Sequence, residues 1–188
     1  MAYYLFPPDG APSKIAPSLE SPEEPTNPTV LPRTALANFH FTFLIRHPRR
    51  GIPSFYRCTV PPLDKVSGFS DFMPSEAGYA ELRRLFDFLV AEGIIDAGNA
   101  VVVDADDMLD DPEGTIRRYC ERVGVDFRPE MLSWSDKDTN HAAGAFEKWN
   151  GFHNDALGSS SLKPRTREHV SVLIRDVVGG RARLTSWL

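Results

Sequence analysis

Apolar residues are spread unevenly along this chain, and their spacing separates an irregular opening segment from a remainder of alternating strands and helices. The run Phe39-His40-Phe41-Thr42-Phe43-Leu44-Ile45 has His40 as its one strongly polar member and is closed by Arg46-His47-Pro48. It predicts a strand over 39–46 buried on both faces. Ala100-Val101-Val102-Val103, behind the turn signal Asp96-Ala97-Gly98-Asn99, predicts a second, fully apolar strand. Between them Leu82, Leu85, Phe86 and Leu89 recur at helical spacing. Ser75 is placed to cap that helix, which runs to about Glu92, and Gly93 stands just past its end. A long helix between two buried strands, without a hairpin signal, is the pattern of a parallel α/β crossover.

The flanking segments follow from local rules. Pro48 suits the first position of a helix over about 48–58, where its missing N–H costs nothing. Pro53 inside that helix removes one hydrogen bond and predicts a kink or a late start, and Val60-Pro61-Pro62 ends it. The polar stretch from Asp104 to Asp111 reads as a loop. Asp111-Pro112-Glu113 then opens a helix with Ile116, Tyr119, Cys120 and Val123 on its apolar face and Gly124 as its stop. After Trp134 a polar run leads to a segment around Trp149. A last amphipathic helix is predicted from Pro164 to about Val178, followed by a tail that packs through Leu184 and Trp187. Residues 1–36 carry eight of the sixteen prolines, so they predict an extended surface segment unable to sustain a helix, with Tyr3-Tyr4-Leu5-Phe6 as an apolar anchor. The chain thus divides into a Pro-rich segment, 1–36, and an α/β domain, 37–188.

Composition narrows the function classes. With 188 residues, 41% hydrophobic and 25% charged, the chain suits one globular domain with a real core. A net charge of -5 and a pI of about 5.5 oppose non-specific attraction to nucleic acid or an anionic membrane, so neither partner is expected. The two cysteines form no disulfide framework or metal knuckle, and the N-terminus has neither a basic region nor an apolar run long enough for a signal peptide or membrane span. Both features point to a reducing, cytoplasmic setting.

The candidate chemistry gathers where the first strand ends. A helix beginning at Pro48 would turn the backbone N–H groups of Arg49, Arg50 and Gly51 toward the strand end, as anion sites require. Arg46 adds a planar cation and Ser54 a hydroxyl about two turns on. Spacing alone leaves two uses open for Arg46: pairing with an internal carboxylate, or gripping an anionic ligand.

The pattern R-x-P-x-x-x-x-x-S formed by Arg46, Pro48 and Ser54 resembles the segment with which PAPS-dependent sulfotransferases hold the 3'-phosphate of their nucleotide. The block 100–134 is similar to the same family's strand, Glu-Asp-Leu, Asp-Pro-Glu, helix and Gly, with Asp106-Asp107-Met108 standing where the family has Glu-Asp-Leu. The likeness covers about residues 39–160 and is closest to the sulfotransferase-like domains of fungal P-loop-family proteins and of some aminotransferase-like proteins. It implies a parallel sheet with flanking helices, here truncated, and a transferase of small-molecule or secondary metabolism. It also implies an anion or 3'-phosphate site at Arg46, Ser54 and Arg49, and a substrate pocket bordered by Trp149, His153 and Ser160. His47 and His153 would serve as acid or base. The implied nucleotide is PAPS or adenosine 3',5'-bisphosphate. The residue types leave plainer uses open, since Trp149 also suits a core position and the Ser159-Ser160-Ser161 run a solvated turn.

One expected part is missing. No G-x-x-x-x-G-K-[ST] run or related phosphate cradle precedes residue 39, where the family carries its sulfuryl-donor loop. Segment 1–36 resembles the connection that follows the family's early strands. The edges of the two strands are therefore expected to need cover from a homo-oligomer, a rearranged N-terminal segment or a companion subunit. The expected function is binding of, or action on, a small organic molecule; the alternatives are a non-catalytic interaction subunit and a truncated, inactive family product. The five histidines show no metal spacing, and capping and solvation account for the acidic cluster Asp104, Asp106, Asp107, Asp110 and Asp111, so no metal is expected.

Overall fold

The computed structural model describes residues 5–7 and 24–165. The body of the predicted last helix, the tail and Tyr3-Tyr4 lie outside the described residues. Two strands, β1 (Thr42–Ile45) and β2 (Val101–Asp104), pair in parallel, with Thr42 opposite Val101 and Ile45 opposite Asp104. They are joined by α2 (Pro48–Arg57), the short α3 (Asp64–Ser67) and the crossover helix α4 (Tyr79–Ala91). The crossover predicted from the hydrophobic pattern is therefore present.

The core lies on the α4 side of β1. Phe43 meets Phe86 edge-to-face at 5.3 Å, and Leu85, Phe88 and the fully buried Leu89 complete the packing. Burial of such a side chain stabilises by about 1.5–3 kcal/mol. The opposite face departs from expectation: β1 is not buried on both faces, since Leu44 is 62% exposed. Successive strand residues point to opposite faces, and α4 covers only the face carrying Phe43. The strand is also shorter than 39–46; His40 is exposed and Phe39 packs edge-to-face on Phe41 ahead of it.

Three further expectations are corrected. The Pro-rich segment does carry a helical turn, α1 (Arg33–Leu36), with Pro32 at its N-cap, and Leu36 and Phe6 enter the core. The buried Asn27 and Thr29 hold this segment: the Asn27 amide donates to the Leu31 carbonyl at 2.7 Å, and its oxygen accepts from Thr29. The stretch after β2 is not a loop. Asp104 accepts from the Asp106 N–H at 2.8 Å and thereby caps α5 (Ala105–Asp110). The helix expected from Ser75 begins instead at Tyr79, behind Gly78 and a 3-10 turn at Pro74–Ala77.

Elsewhere the local rules held. In α6 (Pro112–Val123), Asp111 accepts from the Gly114 N–H, Pro112 occupies the first turn, and Gly124 closes the helix in the left-handed conformation. The polar run after Trp134 folds as α7 (Asp136–Ala145), opened by a reciprocal capping box between Ser135 and Asp138. A short α8 (Asn154–Leu157) follows.

Candidate functional site

At the C-terminal end of β1 the chain turns through Arg46 and His47 into α2. His47 closes the helix start: its Nδ1 accepts from the Arg49 N–H at 3.1 Å, and its carbonyl accepts from the N–H groups of Arg50 and Gly51 at 2.8 and 3.0 Å. The three amides expected to receive an anion are therefore occupied from within. This corrects the sequence-based expectation, and the cause is an imidazole acceptor directly before the first helical residue. It also binds one nitrogen of His47, a residue expected as acid or base, into the cap.

The cations part company here. Arg50 pairs with Asp106 at 2.9 Å, and Arg165 reaches the same carboxylate oxygen at 3.1 Å while donating to the Asp106 carbonyl and to Asp110. This network joins α2, α5 and the end of the described chain. Arg46 is exposed, and its guanidinium has no ion pair or hydrogen bond among the described residues. Arg49 is exposed beside it. Ser54 lies on α2 with its hydroxyl accepting from Arg57 at 3.4 Å; no hydrogen bond among the described residues joins it to Arg46.

What sets the end of β1 in place is Tyr79. From the first position of α4 its phenol donates to the Arg46 carbonyl at 3.0 Å. Partial burial, opposed by the nearby Arg46 charge and reinforced by Asp106, raises the phenol above its ordinary pKa. Gly51 makes this approach feasible, because a methyl group at that position would run into the Tyr79 hydroxyl. Burial likewise raises Asp104, against the effect of the Asp106 N–H that it accepts and of the neighbouring His47.

Between α4 and the sheet lies a cleft of about 440 Å³. Phe43, Ile45 and Val102 line it from the sheet, Leu82 and Phe86 from the helix, and Arg46 and Tyr79 stand at its C-terminal end. The other predicted site residues lie elsewhere. His153 packs against Phe146 with ring centroids 4.5 Å apart and planes inclined at 47°, and Trp149 ends a 3-10 turn. The Ser run pairs with the segment before α7: Trp134 donates its backbone N–H to the Ser160 carbonyl and its indole N–H to the Ser159 carbonyl. None of Trp149, His153 and Ser160 lines the cleft. Sequence reasoning missed Tyr79 and the cleft. One signal was available, since an isolated glycine within a helical pattern, here Gly51, usually has a packing reason.

Residues 31–164 match the sulfotransferase domain family. This chain belongs to that family. Two similar fungal relatives are the sulfotransferase ppzF of Metarhizium majus, 35% identical over 116 residues, and that of Metarhizium rileyi, 34% identical over 116. Each alignment covers 57% of this chain and 34% of the relative, so the family domain here corresponds to about a third of those proteins. The branched-chain-amino-acid aminotransferase-like protein 1 of Arabidopsis thaliana is 29% identical over 151 residues, covering 78% of this chain and 24% of that protein. No solved structure matches significantly. The family's parallel α/β architecture is what the described residues show, and no helix among them is long and apolar enough to cross a membrane.

Proposed function

We propose that this sulfotransferase-family chain binds a small organic molecule of a secondary-metabolite pathway through an anion grip at the end of β1, without the family's sulfuryl-donor loop. The observation that carries this is Arg46: it stands at the mouth of an apolar cleft, its carbonyl is held by Tyr79, and its guanidinium has no carboxylate partner among the described residues. A guanidinium so placed favours a phosphate, sulfate or carboxylate through charge-assisted, bidentate hydrogen bonds. Arg49 adds positive potential beside it, and Ser54, whose oxygen accepts from Arg57, keeps its O–H as a further donor.

Calorimetric titration with adenosine 3',5'-bisphosphate tests the grip. Binding by the wild type, lost in Arg46→Ala, is the expected result; binding that survives Arg46→Ala overturns the grip, and no binding at all removes a nucleotide as its ligand.

A second function, an interaction subunit, is favoured by the 62% exposure of Leu44 on a sheet with two strands among the described residues. Two strands alone are marginal, and parallel sheets are ordinarily covered on both faces. Light scattering across a concentration series tests it: a mass that rises with concentration and reverts to the monomer in Leu44→Lys supports a self-associating sheet face, whereas a constant monomer mass removes that form of it.

A further inference from the structure

The lining of the cleft is mostly hydrocarbon, from Phe43, Ile45, Val102, Leu82 and Phe86, with Tyr79 and three arginines as its polar members. Three arginines line it, but they are not equivalent. Arg83 pairs with Asp87 at 2.7 Å, and Arg84 lies over the Phe6 ring at 4.5 Å. Arg46 alone among these three has neither an ion pair nor a ring contact among the described residues. A volume of about 440 Å³ falls within the range of small-molecule sites, which combine an apolar lining with a few placed polar groups.

We infer that this cleft takes an aromatic or otherwise flat apolar molecule bearing a single anionic group, its rings between Phe86 and Val102 and its anion on Arg46. The inference rests on the proposed anion grip and adds the class of ligand and the place of its apolar body. Charge complementarity selects the sign, since a cationic ligand would meet the guanidinium of Arg46, which has no carboxylate partner among the described residues. The hydrocarbon lining selects the body, because a polar one would lose its water there without replacement hydrogen bonds.

A matched pair of fluorescent probes tests this on the full chain: 1-anilinonaphthalene-8-sulfonate, and N-phenyl-1-naphthylamine, which has the same ring skeleton without the sulfonate. The sulfonate probe should bind one per chain and at least about tenfold more tightly than the neutral one. Arg46→Met should level the two affinities, and Arg46→Lys should restore part of the difference. Ala80→Trp places an indole from the exposed side of α4 into the cleft and should weaken both probes, with circular dichroism confirming the fold of each variant. Equal affinities in the wild type overturn the inference, as do affinities that Ala80→Trp leaves unchanged or an absence of probe binding. If any of these occurs while adenosine 3',5'-bisphosphate still binds through Arg46, the cleft assignment falls and the anion grip stands. If the bisphosphate fails to bind while the probes behave as expected, the nucleotide-like grip falls and the cleft stands.

Discussion

The hydroxyl of Tyr79 donates to the carbonyl of Arg46 at 3.0 Å, linking the first residue of α4 to the last turn before α2. The two residues are 33 positions apart, and Gly51 supplies the space between them. One hydrogen bond thereby joins the crossover helix to the end of the strand that presents the exposed arginine.

Gly51→Ala should therefore destabilise the protein, although alanine in a helix interior normally gains about 1 kcal/mol over glycine. The added methyl displaces the Tyr79 hydroxyl, and a net loss of about 1–2 kcal/mol is expected in urea unfolding. Tyr79→Phe alone should cost about 1 kcal/mol, and the double variant should be more stable than the sum of the single losses.

Asp104 serves as a cap while half-buried, with its folded-state pKa raised. A raised carboxyl pKa favours the folded state below the unfolded value, and that contribution is lost as pH rises through the folded value. Asp104→Asn keeps the cap and removes the charge. It should equal or exceed wild-type stability at pH 7 and flatten the pH dependence in the acid range, whereas Asp104→Ala should cost about 1 kcal/mol.

Asp106 receives both Arg50 and Arg165. Asp106→Ala should cost about 2 kcal/mol by leaving two guanidinium groups without their shared acceptor. Asp107→Ala, at the exposed neighbour, should stay within about 0.5 kcal/mol. Thermal unfolding of the two variants separates the network from helix-terminal charge.

The exposed Asp138 carboxyl has its pKa lowered by hydrogen bonds from the backbone and hydroxyl of Ser135. Its contribution is present above the unfolded carboxylate value and is lost as pH falls through the lowered one. Ser135→Ala should thus reduce the protection of α7 amides from hydrogen exchange at neutral pH, and the difference from wild type should shrink at strongly acid pH.

Much of the fold was legible in local patterns. Asp111-Pro112-Glu113 and Gly124 bound α6 as capping chemistry requires, and the strand–helix–strand spacing implied the parallel pair. Other local signals were present but misjudged: Asp104 and the Ser135–Asp138 pair mark helix starts inside stretches whose polarity suggests loops. Arg46 was legible as a cation at a strand end, but not whether it would find a carboxylate.

By its sequence alone, this chain determined the order of its elements, the parallel crossover and the presence of Arg46 beside Pro48, because these depend on residue type and short-range spacing. Tertiary structure decided which neighbours each group meets. Asp106 took Arg50 and Arg165, and α4 covered one face of β1 while Leu44 stayed exposed. Those outcomes depend on distances between residues tens of positions apart, which packing sets and local patterning does not encode.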